Sequence, residues 1–296
     1  MFYFGKWPEW FELYFDSIKR NSSIDFHLFT DCDTSLTADN VFYHKYSFDQ
    51  YKTLVSERLQ LEFNPNNGIK ICDVRPFIGL LHSNVFKEYD YFGWADVDVL
   101  FGNIREFYTD ELLSKYDVFA THLNKITGHF TLFKNTKKNR EICLKIYKWR
   151  EVLQNPEFVG LDEHGITNAL CMTFWDKLSE KFKKPWIAVL FSFSKKQKIK
   201  RYYLIEQYST PFTPIPWLDG SINSLHPDTW YYENGVITNE RDENRKFMYL
   251  HFMNFKSSTW RHDGTKAPWE GMISIYNVNN IQSKVVISNY GIRNIN

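Results

Sequence analysis

The sequence predicts an α/β fold with an open mixed sheet flanked by helices. Short apolar runs rich in aromatic residues alternate with segments whose apolar residues recur at helical spacing, and this alternation favours a mostly parallel open sheet. The chain has 296 residues, of which 43% are hydrophobic and 24% are charged. It is therefore long enough for a sizeable core and has the composition of a folded protein. No linker or internal repeat interrupts it, so we expect a single domain over 1–296.

Local signals define the first elements. Pro8 suits the first turn of a helix over roughly 8–20, because its missing N–H costs nothing at that position. The short aromatic and apolar run 24–30 predicts a buried strand that ends abruptly at acidic residues. A polar helix is predicted over about 48–60.

The alternation continues to about residue 182. Pro76 begins a helix with one apolar face that runs to about residue 89. Strands are predicted over 91–95, 118–121 and 129–133. Amphipathic helices are predicted near 136–154 and 163–182.

Charge and cysteine content exclude several function classes. Thirty-six basic residues stand against 35 acidic ones, a formal charge of +1, so no global field exists to hold duplex DNA. The four cysteines form no CxxC pair for zinc or redox chemistry. No signal-peptide pattern or long apolar run is present. We expect a cytoplasmic protein without a membrane span and with no nucleic-acid partner.

The segment 181–201 contains eight basic residues around the apolar run 186–193. One interpretation is a strand followed by a solvated basic loop. The other is a docking surface for anionic lipid head groups or an anionic acceptor. The second interpretation predicts peripheral contact with the inner face of a membrane.

The acidic pair Asp96 and Asp98 interrupts a buried-looking strand, YFGWADVDVLFGNI, over residues 91–104. Charged groups rarely occur inside an apolar run unless they are paired or bind a metal. Carboxylates at positions i and i+2 of an extended chain point to the same side and can share one divalent cation. The pair therefore predicts a metal site, with a structural turn or a salt bridge as the alternative.

Two further segments carry candidate ligands. Asp31 and Asp33 form a second DxD, for which a structural turn or a salt bridge is favoured over a metal, although a carboxylate at the end of a strand could still accept a hydrogen bond from a base or a ribose hydroxyl. Near the other end, YLHFMNFK (249–256) is an apolar run with His251 inside it and Lys256 at its close. The histidine could complete an Asp/Asp cation site or be an ordinary core residue, and the lysine could contact a phosphate.

A series of segments resembles, in order and spacing, the motifs of small bacterial glycosyltransferases of the GT-A fold. The segments are the strand-end acid, KICDVRP, GWADVDVLFGN, GHFTLFKN, LDEHG and HFMNFK. Such enzymes act in capsule and lipopolysaccharide assembly, and the likeness covers about residues 3–256. It implies a Rossmann-type GT-A sheet and a nucleotide-sugar donor, usually a UDP-sugar, held by Mn²⁺ or Mg²⁺. It also implies a donor-binding half over about 1–125 and an acceptor-binding half over about 126–296.

The resemblance assigns roles to particular residues. Asp96 and Asp98 match the metal-binding DxD motif, and His251 matches a histidine that some of these enzymes add to the metal. The nucleotide-binding residues it implies are Tyr3, Phe4, Gly5, Lys6, Asp31, Asp73, Arg75, Asp96 and Lys256. Family members have several apolar residues before the YFGK-like loop, whereas only Met1 and Phe2 precede it here, so the first strand should be short or absent.

The acceptor side is implied at two places. Gly128 and His129 lie where the resemblance places the floor of the sugar pocket, although His129 could be an ordinary strand residue. Asp162 and Glu163 precede a helix, where Asp162 has the chemistry of an N-cap. Either acid, with Asp162 preferred, could instead take the proton from the attacking hydroxyl in an inverting reaction, or position or shield the sugar in a retaining one.

Three function classes follow. The first is metal-dependent transfer of a glycosyl group from a nucleotide-diphosphate donor to a hydroxyl of a carbohydrate acceptor, in surface polysaccharide or lipopolysaccharide synthesis. The second is a non-catalytic carbohydrate-binding protein that uses its aromatic residues, 18% of the chain, for stacking. The third, a metal-dependent phosphoesterase, would require more carboxylate and histidine ligands than the sequence offers.

Overall fold

The structure, a computed structural model, describes residues 1–123, 125–171, 201–205, 229–242, 245–251, 275–276, 284–288 and 291–295. Several sheets and helices make it a mixed α/β protein, which confirms the predicted class. The chain divides into two compact units. Unit 1 comprises Met1–Phe48, Asp96–Thr109 and Glu206–Asn296, and unit 2 comprises Asp49–Ala95 and Asp110–Ile205. The units are interleaved along the sequence, and their boundaries differ from those of the expected donor-binding and acceptor-binding halves. A single catalytic domain stays a prediction.

The strands of the described residues are numbered in chain order. They are β1 (Phe2–Tyr3), β2 (Phe26–Thr30), β3 (Val41–Lys45), β4 (Tyr91–Ala95), β5 (Val99–Phe101), β6 (Val118–Ala120), β7 (Phe130–Lys134), β8 (Tyr202–Leu204), β9 (Thr229–Glu233), β10 (Val236–Asn239), β11 (Tyr249–His251), β12 (Ile275–Tyr276), β13 (Lys284–Ser288) and β14 (Gly291–Ile295).

The helices are short. The α-helices are α1 (Phe11–Lys19), α2 (Phe48–Leu59), α3 (Ile78–Leu81), α4 (Ser83–Phe86), α5 (Ile104–Phe107), α6 (Asp110–Lys115), α7 (Lys137–Arg140), α8 (Trp149–Gln154) and α9 (Ile166–Cys171). Two 3-10 helices span Gly68–Phe77 and Ile142–Lys145, and a π-helix spans Leu161–Gly165. None of the helices in the described ranges is long and apolar enough to cross a bilayer.

Unit 1 begins with a parallel sheet in the order β1-β2-β3. Tyr3 pairs with Thr30, so the carboxyl ends of β1 and β2 lie at the same edge. The first strand has two residues, as the short apolar start predicts. The adjacent carboxyl ends bring the loop after Tyr3 next to the loop after Thr30.

The rest of unit 1 contains the antiparallel pair β5–β11 and a five-stranded sheet in the order β10-β9-β13-β14-β12. Leu100 and Leu250, partners in the β5–β11 ladder, belong to a buried apolar cluster with Trp230 and Tyr232 of β9. Removing the apolar surface of this cluster from water stabilises the folded chain. It therefore fixes the ladder that carries His251.

Unit 2 contains a four-stranded sheet in the order β4-β7-β6-β8. The first three strands are antiparallel, and only β6–β8 is parallel. The expectation of a mostly parallel sheet is therefore wrong for this unit. The connection between β6 and β7 is short, which suits antiparallel neighbours because they need no helical crossover.

Two predicted helices are broken. Instead of one helix over 76–89, the chain forms the end of a 3-10 helix that contains Pro76, and then α3 and α4. His82, with a ψ of 32°, separates α3 from α4. In place of 136–154, Ile146 is extended and Lys148 adopts a left-handed φ of 53°. Both irregularities end helical hydrogen bonding. The helix predicted near 163–182 begins as a π-turn and α9, and residues 172–182 lie outside the described residues.

Candidate functional site

The Asp96–Asp98 segment is the tight turn that joins β4 to β5. Asp98 is 6% exposed, although it is an aspartate between two strands. The indole Nε1 of Trp10 donates a hydrogen bond to the Val97 carbonyl at 2.9 Å. That bond holds the backbone of the turn between the two carboxylates.

Strand β11 brings His251 to this turn. His251 pairs with Val99, the residue that follows Asp98. The imidazole Nε2 lies 3.6 Å from Asp98 Oδ1, and one ligand atom each from Asp96, Asp98 and His251 lie within 4.8 Å of one another. The three residues are therefore together, and their role as metal ligands stays a prediction.

The donor set fits a hard or borderline divalent cation. Carboxylate oxygens suit Mg²⁺ and Mn²⁺, and imidazole nitrogen is a common ligand of transition metals. Ligands about 2.1 Å from one ion lie about 3 to 4.2 Å apart in an octahedral arrangement. The observed separations require only small side-chain adjustments to reach that range.

The negative charge of Asp96 and Asp98 affects the pKa values of two nearby tyrosines. Burial raises the pKa of the Tyr14 hydroxyl well above its usual value, and the charges of Asp96 and Asp98 raise it further. Burial also raises the pKa of Tyr3, with added contributions from Cys32 and Asp98. A negative potential of this kind attracts a cation.

The loop after β1 is tied to the loop after β2. The Gly5 N–H donates to Asp31 Oδ1 at 2.6 Å, and Gly5 has a φ of 102°, which favours glycine. The Cys32 thiol donates to the Gly5 carbonyl at 3.3 Å. Phe4 packs near Phe48, with ring centroids 5.3 Å apart. Lys6 is exposed.

Trp7 lies beside the predicted nucleotide-binding residue Tyr3, and the sequence reasoning did not single it out. Its ring stacks on Tyr3 with centroids 5.1 Å apart and on Phe11 at 3.8 Å. Its Nε1 donates to the Asp33 carbonyl at 2.7 Å. The signal in the sequence is the recurrence of aromatic residues at positions 3, 7 and 11.

Asp73, in unit 2, has a fully buried carboxylate. It accepts hydrogen bonds from the backbone N–H groups of Val159, Gly160 and Leu161 at 2.9, 2.8 and 2.6 Å. It also pairs with the equally buried Lys70 ammonium at 2.9 Å. These contacts favour a structural role at the start of the π-helix; nucleotide binding by Asp73 stays a prediction.

Arg75 connects two predicted site residues. Its Nη1 donates to Asp162 Oδ2 at 2.8 Å and to the Gly128 carbonyl at 3.0 Å. A Cβ at Gly128 would lie 2.8 Å from the same Asp162 oxygen, which is too close. Gly160, with φ of 88°, occupies the N-cap position instead of Asp162. The N-cap interpretation of Asp162 is therefore wrong, since its carboxylate binds a guanidinium.

Glu163 is more accessible than Asp162, with a side chain 30% exposed against 4%. It pairs with Lys125 at 2.8 Å and accepts from the Gly128 N–H at 3.2 Å. Burial raises the pKa of the Glu163 carboxyl, but Lys125, the Gly128 N–H and His122 outweigh it, so the net pKa is lowered. Sequence reasoning did not identify Lys125, since its partner is distant along the chain.

His129 lies immediately before β7 and is 4% exposed. Its Nε2 is 3.2 Å from the Thr121 hydroxyl, and its ring meets that of His122 edge-on, with centroids 5.8 Å apart. Of the remaining predicted residues, Lys256 and 181–200 lie outside the described residues. Arg201 is described, and its Nε pairs with Asp117 at 2.7 Å.

Together these features define an α/β protein with a candidate cation centre in unit 1 and a separate group of paired acids in unit 2. A model of a family of unknown function (DUF6625) matches residues 1–282. The chain belongs to that family. No curated protein and no solved structure matches it.

Proposed function

We propose that the protein is a metal-dependent glycosyltransferase of the GT-A type. It would transfer a sugar from a nucleotide-diphosphate donor, preferably a UDP-sugar, to a hydroxyl of a carbohydrate acceptor in surface polysaccharide or lipopolysaccharide synthesis. The observation that carries the proposal is the juxtaposition of Asp96, Asp98 and His251. These residues are distant in sequence and form a donor set suited to Mn²⁺ or Mg²⁺.

The parallel sheet of unit 1 supports a nucleotide-binding role. In open α/β sheets, ligands bind outside the carboxyl ends of the strands, and Tyr3 and Asp31 stand at those ends. Within the described residues, the second carboxylate oxygen of Asp31 accepts no hydrogen bond and could accept one from a ribose hydroxyl. The ring of Tyr3, which Trp7 supports by stacking, would offer a flat surface for a base.

Asp96, Asp98 and His251 would hold the cation. A cation bound there would neutralise charge that develops on the departing diphosphate. Asp31 and the Gly5 loop would orient the nucleotide. Asp162 or Glu163 would act as the base of an inverting transfer, as the resemblance implies, and Glu163 has the more accessible carboxylate of the two. Arg75 would hold Asp162 in place as a positioning residue.

The decisive experiment is calorimetry with UDP, with and without Mn²⁺, on wild type, Asp98→Asn and the matched control Asp39→Asn. Asp39 is an exposed aspartate of the same unit. Loss of a supporting group around a metal already costs about 10- to 100-fold in affinity, so we expect at least a tenfold loss of Mn²⁺-dependent UDP binding for Asp98→Asn alone. Hydrolysis of UDP-sugars should decrease in parallel.

Two outcomes would contradict the proposal. Full transfer or hydrolysis activity in excess chelator would remove the need for the cation. Binding of free sugars without UDP or Mn²⁺ would favour the non-catalytic carbohydrate-binding alternative. Circular dichroism of Asp98→Asn confirms that a loss does not arise from unfolding.

A further inference from the structure

We infer that residues 137–150, named here the lysine surface, bind an anionic membrane. The segment KKNREICLKIYKWR contains six basic residues and one acidic residue, a formal charge of +5, whereas the whole chain has +1. The positive charge is therefore concentrated locally. This inference is independent of the glycosyltransferase proposal and concerns another part of the chain than 181–201.

The inner side of the lysine surface is anchored in unit 2. Ile142, Cys143 and Ile146 are at most 5% exposed. The backbone between them forms a 3-10 helix and then extends. This path leaves Leu144 and Tyr147 outside, 44% and 81% exposed. Two large apolar side chains thus stand in solvent between lysines.

The cationic side chains are available on the same segment. The side chains of Lys137 and Lys148 are 79% and 50% exposed, and their ion pairs are with Glu141 and Glu151. Lys138 and Lys145 are exposed too. In the part of the chain that the structure describes, no carboxylate lies within ion-pair distance of either. Their charges are open to an external anion.

The combination fits a lipid surface better than a nucleic acid. Lysines near an anionic leaflet are attracted to its surface potential. Tyrosine and leucine beside them can enter the boundary between head groups and acyl chains. Phosphate contacts with duplex DNA would make no use of an exposed Leu144 and Tyr147. The surface would lie on the bilayer without spanning it.

The test is co-sedimentation of the full chain with phosphatidylcholine vesicles, with and without phosphatidylserine. We expect binding that requires phosphatidylserine and weakens in high salt. Lys138→Gln combined with Lys145→Gln should lower partitioning about 25-fold, because each cation near the surface contributes about fivefold. Tyr147→Ser should lower it as well, through loss of the inserted ring.

The matched control combines Lys87→Gln and Lys115→Gln, which removes the same charge from exposed lysines elsewhere in unit 2. It should reduce partitioning much less. The inference is overturned if both double variants bind equally, since the contact would then lie elsewhere or be a bulk charge effect. The inference is also overturned if the protein binds a short DNA duplex as tightly as vesicles and Tyr147→Ser changes neither the DNA affinity nor the vesicle partitioning. Circular dichroism and thermal unfolding verify that each variant is folded.

Discussion

Asp73→Asn tests whether the buried acid of unit 2 is structural. The substitution keeps the side-chain shape but removes the charge that faces Lys70, and both side chains are fully buried 2.9 Å apart. Breaking a buried ion pair by removing one partner costs about 3 to 5 kcal/mol. Three backbone N–H groups also lose a charged acceptor, so we expect about 4 kcal/mol or more. Folded proteins have a total stability of about 5 to 15 kcal/mol.

The assay is urea unfolding followed by circular dichroism. With a slope of about 2 to 3 kcal/mol/M, the loss should lower the midpoint of urea unfolding by about 1 to 2 M. Asp39→Asn, at an exposed position, should stay within about 0.5 kcal/mol of wild type. The double variant Lys70→Met with Asp73→Asn should lose less than the sum of the two single losses, because it leaves no buried ammonium unpaired.

The reasoning would be refuted by a stable Asp73→Asn variant. If unfolding is unchanged within about 0.5 kcal/mol while UDP affinity decreases, Asp73 contacts the nucleotide as the resemblance implies. If stability decreases and the folded fraction binds UDP normally, the structural role is supported.

Two further predictions concern unit 1. Gly102→Ala should destabilise the β5–β11 ladder by about 1 to 3 kcal/mol and weaken Mn²⁺ binding, because the new Cβ would overlap the Phe247 carbonyl oxygen. Urea unfolding measures the loss of stability, and calorimetry measures Mn²⁺ binding. The control Gly68→Ala, where a Cβ meets nothing within 4 Å, should be neutral. Burial and the charge of His44 lower the pKa of His27 to about 4 from 6.5. The unfolded chain therefore binds the proton first, so stability should be lost as pH falls from about 6.5 to 4, and His27→Gln should flatten that dependence in pH-resolved unfolding. An equally steep decline in His27→Gln would assign the loss to other groups.

Sequence patterns predicted elements best where apolar runs meet abrupt boundaries. Strand 91–95 is found as predicted, and the strand predicted over 24–30 forms from Phe26 to Thr30. Strand β3 was missed because only Val41 of its five residues is buried, which leaves a weak apolar signal. The helix over 136–154 failed because apolar spacing carries no information about the left-handed backbone of Lys148.

The candidate site was predictable where the signal is local. An aspartate pair inside an apolar run indicates an unusual environment for charge, and Asp98 is indeed buried. The pairing of Arg75 with Asp162 was not predictable, since 87 positions separate them and only tertiary structure brings them together. Trp7 was missed because its stacking depends on how the loop after β1 turns.

The interleaving of the two units affects how the protein can be made and dissected. Unit 1 draws on three stretches of chain, and its last stretch starts only at Glu206. The ribosome therefore synthesises both aspartates of the turn long before the imidazole that meets them, and a premature stop before residue 251 would leave the trio incomplete. Neither unit can be excised as one continuous gene fragment, so dissection requires circular permutation or a designed splice.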